Sequence, residues 1–306
     1  MKIRLGTRGS KLALWQAYYV ADLLSAGGIE TEIVTIDTKG DKILDVSIAK
    51  IGSKGVFTEE IEEQLAQGHI DIAVHSAKDM QSELPEGFEL IAFTEREKVN
   101  DVIVSHTPVD LSKPFKLGTS STRRVALLKR YYPHVEPVSV RGNLQTRIRK
   151  MEEGHCDALL LAYAGVYRMG YEHMIQRHLS LEEFTPPVGQ GSVAIEVHST
   201  LAEDKKIRIK ELVNHPATET RLRTERAFLR RLQGGCSVPV YALATLVGQE
   251  LSIKGGVVSL DGQQRLHAEL SGTAEQAQQL GNQLAEEVIA QGADVLLKQI
   301  KGEMAH

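Results

Sequence analysis

Short apolar runs alternate with amphipathic stretches through the first 95 residues, and the alternation restarts near Asp101. IRLG at 3–6 reads as a strand, and Ser10 caps a helix running to about Ala26, where Gly27 and Gly28 stop it. EIVTI is the next strand and 37–57 a long loop. Thr58 then opens a helix with Glu59 and Glu60 in its first turn, where the helix dipole favours acids, and IDIAV at 70–74 is a buried strand. In the second stretch DVIVS and FKLGT predict strands, 120–131 a helix, EPVSV a strand, 143–153 a helix and DALLLA a strand. Such a repeat buries its apolar faces by laying helices over a mainly parallel sheet, so two α/β lobes are expected. The run VAIEV at 193–197 fits either sheet.

Beyond that run the pattern changes. A helix is predicted over 218–232, ending at Gly234 and Gly235; LSIKGGVVSL and QQRLHAEL then flank Asp261-Gly262, a strong hairpin signal. Thr273 and Gln276 make a capping box ahead of a long final helix. At 306 residues the chain exceeds one hydrophobic core. The division expected is 1–95 with about 191–208 as one lobe, 99–188 as a second, arginine-rich lobe, and 214–306 as a small α+β domain with an antiparallel sheet. The two cysteines, Cys156 and Cys236, match no metal-ligand spacing, which argues against a zinc site or a disulfide framework. MKIRLGTRGSKLALW lacks the apolar run of an export signal, and no stretch approaches the ~18 apolar residues of a membrane span. A reducing, cytoplasmic setting is expected.

Charge is the second constraint. Residues 118–150 hold six arginines and two lysines against the single acid Glu136, a net +7; with the whole chain at −4, the remainder carries −11. Cations gathered this way point to an anionic ligand, and arginine's planar fork grips carboxylate or phosphate in bidentate pairs. Arg130, Arg149 and Lys150 read as a solvated helix face; the contexts of Arg123, Arg124, Arg141 and Arg147 favour a ligand. GTSSTRR at 118–124 and Arg141-Gly142-Asn143 fall at predicted helix N-termini directly after strands, where free N–H groups and the dipole attract anions. Arg8 and Ser10 repeat the arrangement after IRLG. Ligands of open α/β sheets bind at the carboxyl ends of strands. Three such corners imply a ligand with several separate negative groups, lying between two lobes. No phosphate-loop motif is present, and the GxGxxA match at 189–194 precedes a strand instead of joining strand to helix. With 5% aromatic residues the chain offers little platform for stacking bases, so no nucleic-acid role is expected. A polycarboxylate is the better candidate.

HSAKD at 75–79 follows IDIAV and so reaches a carboxyl end too. Asp79 there suits either steadying a developing cation and passing protons or capping a turn. Lys78 fits a site or a surface equally, and His75 has no partner pattern for metal. Cys236 by itself reads as a buried small hydrophobe, covalent chemistry being its functional alternative. Cys156 reads as structural.

Taken together, the chain resembles the porphobilinogen deaminase (hydroxymethylbilane synthase) family over essentially its full length. TRGSKLALWQA, KGDKILD, AKIGSKGVF, DIAVHSAKD, GTSSTRR, VRGNLQTR, PPVGQG and ERAFLRRLQGGCSVP occur in family order and spacing. The resemblance implies two lobes like periplasmic binding proteins plus a C-terminal domain carrying the cysteine. It implies a transferase that joins four porphobilinogen molecules head to tail, releasing ammonia each time, on a dipyrromethane cofactor held by a thioether to Cys236. Each pyrrole brings two carboxylates, which would account for the arginines.

By motif match Asp79 would be the catalytic carboxylate, stabilising the azafulvenium formed as ammonia leaves. Cys236, Lys78, Asp79, Ser121, Arg123, Arg124, Arg141 and Gly142 would hold the cofactor. Arg8, Ser10, Arg141, Arg147, Arg168 and Gln190 would hold substrate, and Lys50, Lys54 and Phe57 would lie on a lid over the cleft. The resemblance also implies a monomer, and a product passed to uroporphyrinogen-III synthase. Thr122, Tyr167, Lys98, Tyr241 and Gln81-Ser82 depart from the usual pattern; Tyr241 bears on packing beside the cysteine turn, Gln81-Ser82 on the turn beyond Asp79. The competing reading is a non-catalytic, two-lobed polycarboxylate-binding protein.

Overall fold

The computed structural model describes residues 1–39, 58–235 and 237–305, and within them two compact units. The first comprises Met1–Glu97 and Gly191–Thr220, the second Lys98–Gln190 and Arg221–His306.

In the first unit β1 (Lys2–Arg8) leads to α1 (Lys11–Ala26), β2 (Glu30–Ile36), α2 (Glu59–Ala66), β3 (Ile72–Ser76), a 3-10 turn (Ala77–Asp79) and β4 (Phe88–Phe93). β10 (Val193–His198) and α6 (Glu203–Val213) complete it. The sheet order is β2-β1-β3-β10-β4. β1 runs parallel to β2 and β3, whereas β10 runs antiparallel to β3 and β4. Ser10 caps α1 as expected, its hydroxyl accepting from Ala13 N at 3.3 Å. The helix buries Ala17, Val20, Ala21 and Leu24 on one face, against Ile3, Leu5 and Ile72 of the sheet. Gly27 ends it where a Cβ would sit 2.4 Å from the Leu212 side chain, so a larger residue would force Leu212 of α6 to shift.

The second unit repeats the plan. β5 (Asp101–Val104), β6 (Lys116–Gly118), α3 (Thr122–Tyr131), β7 (Glu136–Val138), α4 (Leu144–Glu152), β8 (Ala158–Ala162), α5 (Tyr163–Arg168) and β9 (Ile175–His178) form a sheet of order β7-β6-β8-β5-β9 with its helices. β6 is parallel to β7 and β8, while β5 is antiparallel to β8 and β9. The mainly parallel sheets expected from the sequence are therefore mixed. The fully buried runs of β5 and β10 look the same in either direction, because a strand covered on both faces carries no alternation to betray its neighbours.

The α7 helix (Pro216–Arg231) starts two residues before the expected Thr218, on a proline whose missing N–H is no loss in a first turn. β11 (Val240–Val247), β12 (Glu250–Val258) and β13 (Arg265–Thr273) form the expected antiparallel sheet. The Thr273–Gln276 capping box is present, but the long final helix is two, α8 (Ala277–Ala290) and α9 (Ala293–Ala305), divided at Gly292 with φ +101°. The fold class is thus α/β with two mixed-sheet lobes and a small antiparallel C-terminal sheet. Within the second unit Tyr241 and Val258 of that small sheet share one core with Ile103, Leu127 and Phe184.

Candidate active site

In the first unit the parallel pairing of β1 and β3 sets their carboxyl ends side by side. Arg8 closes β1 and Ser10 caps α1; the 3-10 turn with Lys78 and Asp79 follows β3. Asp79 is exposed, and Lys78, Arg8 and Ser10 are half-buried. The turn is anchored by its neighbours: Gln16 Nε2 donates to Ser76 Oγ at 2.9 Å, Ala77 N donates to Ser192 O at 2.9 Å, and Met80 is buried.

In the second unit three turns line up at the carboxyl ends of β7, β6 and β8. After β6, Ser121 caps α3, and Gly118 packs where a Cβ would lie 2.7 Å from Cys156 Sγ. Cys156 is buried, and burial raises its thiol, as a structural cysteine requires. After β7, Gly142 adopts φ +116°, and its carbonyl accepts from Arg147 Nε at 2.8 Å, which turns that side chain back over the loop. Arg141 and Arg147 are half-buried. After β8, α5 ends on Arg168, also half-buried.

Arg123 and Arg124 have partners that the sequence did not reveal. Arg123 Nη2 donates to Asp101 Oδ2 at 2.6 Å and Nη1 to Thr185 O at 2.9 Å; Arg124 Nη2 donates to Asp101 Oδ1 at 2.7 Å and Nη1 to Leu160 O at 3.1 Å. Gln190 Nε2 adds bonds to Asp101 Oδ1 and Val99 O, at 3.0 and 2.7 Å. Burial alone would push the Asp101 carboxyl up, but the two guanidinium groups outweigh it and hold it well below the usual carboxylate range. One anion between two cations leaves a net positive centre, with the Nε atoms of Arg123 and Arg124 buried and without hydrogen-bond partners among the described residues. A lone acid opening an otherwise apolar strand, twenty-odd residues before a pair of arginines, was the available signal for Asp101. Glu225 was also missed: buried on α7, it accepts from Gly189 N and Ala244 N, both at 2.9 Å, and ties the loop before Gln190 to β11.

Other side chains have contacts beyond the sequence reading. Arg130 is exposed, as read, and also has a structural role: its Nη1 donates to the Gly262 and Gln263 carbonyls, both at 3.1 Å, clamping the Asp261-Gly262 hairpin onto α3. Lys150 reaches Arg141 O at 3.3 Å. Among the described residues no group of three or more His, Cys, Asp or Glu side chains is placed to hold a metal, and no helix is long and apolar enough to cross a membrane. Cys236, Lys50, Lys54 and Phe57 lie outside the described residues.

Residues 3–208 match the family description "porphobilinogen deaminase, dipyromethane cofactor binding domain", and residues 219–290 match "porphobilinogen deaminase, C-terminal domain". The chain belongs to the porphobilinogen deaminase family. It is 58% identical over 302 residues to the porphobilinogen deaminase of Cytophaga hutchinsonii, covering 98% of this chain and 97% of that one. It is 55% identical over 305 residues to that of Desulfosudis oleivorans, covering 98% of each. Among solved structures it is similar to an extracytoplasmic solute receptor of Bordetella pertussis, with TM-score 0.40 and 12% identity over 70% of this chain and 77% of that one. The chain therefore carries a dipyrromethane-cofactor-binding domain. Its donor set fits that group, because half-buried arginines at strand ends, beside the net positive centre of Asp101, Arg123 and Arg124, are what carboxylate arms require.

Proposed function

We propose that this protein condenses four porphobilinogen molecules head to tail, releasing ammonia at each addition, to give the linear tetrapyrrole hydroxymethylbilane. The observation carrying the reading is 55–58% identity to porphobilinogen deaminases across 98% of the chain. The covalent dipyrromethane supplies the primer on which the first substrate is placed. Cys236 would hold it through a thioether, with Lys78, Asp79, Ser121, Arg123, Arg124, Arg141 and Gly142 binding its arms and ring nitrogens.

The exposed Asp79 carboxylate would accept hydrogen bonds from the incoming pyrrole N–H, steady positive charge as ammonia departs and pass the proton released on joining. Arg8, Ser10, Arg141, Arg147, Arg168 and Gln190 would bind substrate, the arginines pairing with acetate and propionate arms. For Arg123 and Arg124 the part left for a carboxylate arm would be the second N–H of each Nη, since each of these nitrogens carries two and spends one on Asp101, Thr185 or Leu160. Lys50, Lys54 and Phe57 would form the lid. We further propose the three-domain division given by the sequence, a cytoplasmic monomer, and hand-off of product to uroporphyrinogen-III synthase. The non-catalytic binder has no observation in its favour.

The test is Asp79→Asn. It should retain the fold and any preassembled cofactor while turnover falls by about two orders of magnitude or more, the scale of a lost acid–base group; activity equal to the parent would remove Asp79 from the mechanism.

A further inference from the structure

Asp79 sits on a turn of three residues and is itself exposed, so the position of its carboxylate depends on what holds the turn at its two ends. Ahead of the turn, His75 on β3 lies with Nε2 3.0 Å from Glu196 Oε2 of β10, the side chains 5% and 0% exposed. The antiparallel register pairs His75 with Ala194 and Ala73 with Glu196, which places this contact diagonally on one face of the sheet. Beyond the turn, Gln81 directs its carboxamide nitrogen to α2: Nε2 donates to Thr58 Oγ1 and to Glu62 Oε1, both at 3.2 Å. Thr58 and Glu62 are buried, and the Thr58 side chain does not cap the backbone of the helix it opens. Its hydroxyl oxygen accepts from Gln81 and its side chain also bonds Glu62, so the three side chains form one cluster.

We propose that Gln81 is a positioning residue for the Asp79 carboxylate, fixing the far end of its turn to the first turn of α2, while the bonds from Gln16 to Ser76 and from Ala77 to Ser192 and the buried His75–Glu196 contact hold the near end. The proposal rests on the reading of Asp79 as the catalytic carboxylate. Gln81 belongs to the Gln81-Ser82 departure from the family's usual sequence, and these two bonds are what the departure provides. A carboxamide with two N–H groups can serve both acceptors at once; leucine, of similar volume, can serve neither.

The experiment is steady-state kinetics on cofactor-loaded Gln81→Leu, with Asp79→Asn assayed beside it. If Gln81 sets the carboxylate's position, kcat falls roughly tenfold or more with KM within about twofold, since displacement of a reacting group by an ångström is costly to rate. Cofactor mass stays that of the parent, and the melting temperature falls only modestly, as the loss of two part-buried bonds requires, leaving the variant folded at the assay temperature. Adding Glu62→Leu brings little further loss of kcat, because both substitutions break the same link. A Gln81→Leu enzyme with parental kcat, or one whose loss follows its unfolded fraction, overturns the proposal while leaving Asp79's role intact if Asp79→Asn is inactive. An active Asp79→Asn overturns the reading beneath it.

Discussion

Asp101 shows how much one buried side chain can decide. Its two oxygens receive Arg123, Arg124 and Gln190, so it orients two arginines at the head of α3 and the glutamine beyond Gly189 together. A buried ion pair stabilises little over a well-packed apolar substitute, but removing one partner leaves an uncompensated charge. Asp101→Ala should therefore cost about 3–5 kcal/mol in urea denaturation. The pH dependence follows from the direction of the shift. The folded carboxyl titrates below its ordinary 3.8, so its contribution is present above that value and is lost as pH falls through the folded one. Chemical denaturation between pH 5 and pH 2 should show the parent losing stability over this range more steeply than Asp101→Asn, whose residue 101 cannot titrate; equal slopes would mean that Asp101 is not held ionised.

At the level of elements, the small antiparallel sheet is bolted to the second lobe by Tyr241. Its ring is fully buried on β11, and its hydroxyl accepts from Arg265 Nε of β13 at 2.7 Å. The same guanidinium reaches Tyr131 of α3 at 2.7 Å and the Glu182 carbonyl at 3.1 Å. Gly256 makes room, since a Cβ there would lie 2.7 Å from the Tyr241 hydroxyl and 2.1 Å from Leu266 O. Tyr241 is thus accommodated by packing and by a shared hydrogen-bond network. Burial pushes the Tyr241 phenol up to about 12, against the opposing pull of Arg265. In a spectrophotometric titration one tyrosine should ionise only near that pH, and Tyr241→Phe should remove this late step. Because the folded value is raised, the associated stability is full below 10 and declines as pH climbs toward 12. Loss of the acceptor should cost Tyr241→Phe about 1–3 kcal/mol by thermal or urea unfolding.

At the scale of the molecule, the simplest check of the assigned chemistry is mass. Protein made in cells that produce porphobilinogen should exceed its sequence mass by a covalent dipyrrole, and Cys236→Ala should show the bare-chain mass; an unmodified parent would point to a binder. Much of this was legible in the sequence. The cap at Ser10, the helices beginning near Ser120 and Asn143, the hairpin at Asp261-Gly262 and the eight separated motifs are all short-range features, written within a few residues of where they act. The alternation of apolar runs was enough for two α/β lobes because it records which faces are buried. It could not record strand direction in β5 and β10, whose buried faces are uniform. Nor could it place Asp101, which meets Arg123 across 22 residues and Gln190 across 89, or bring Gln81 onto Thr58 across 23. Such contacts belong to the packed chain: they arise only when elements remote in sequence are pressed together and a buried polar group must find its partner there.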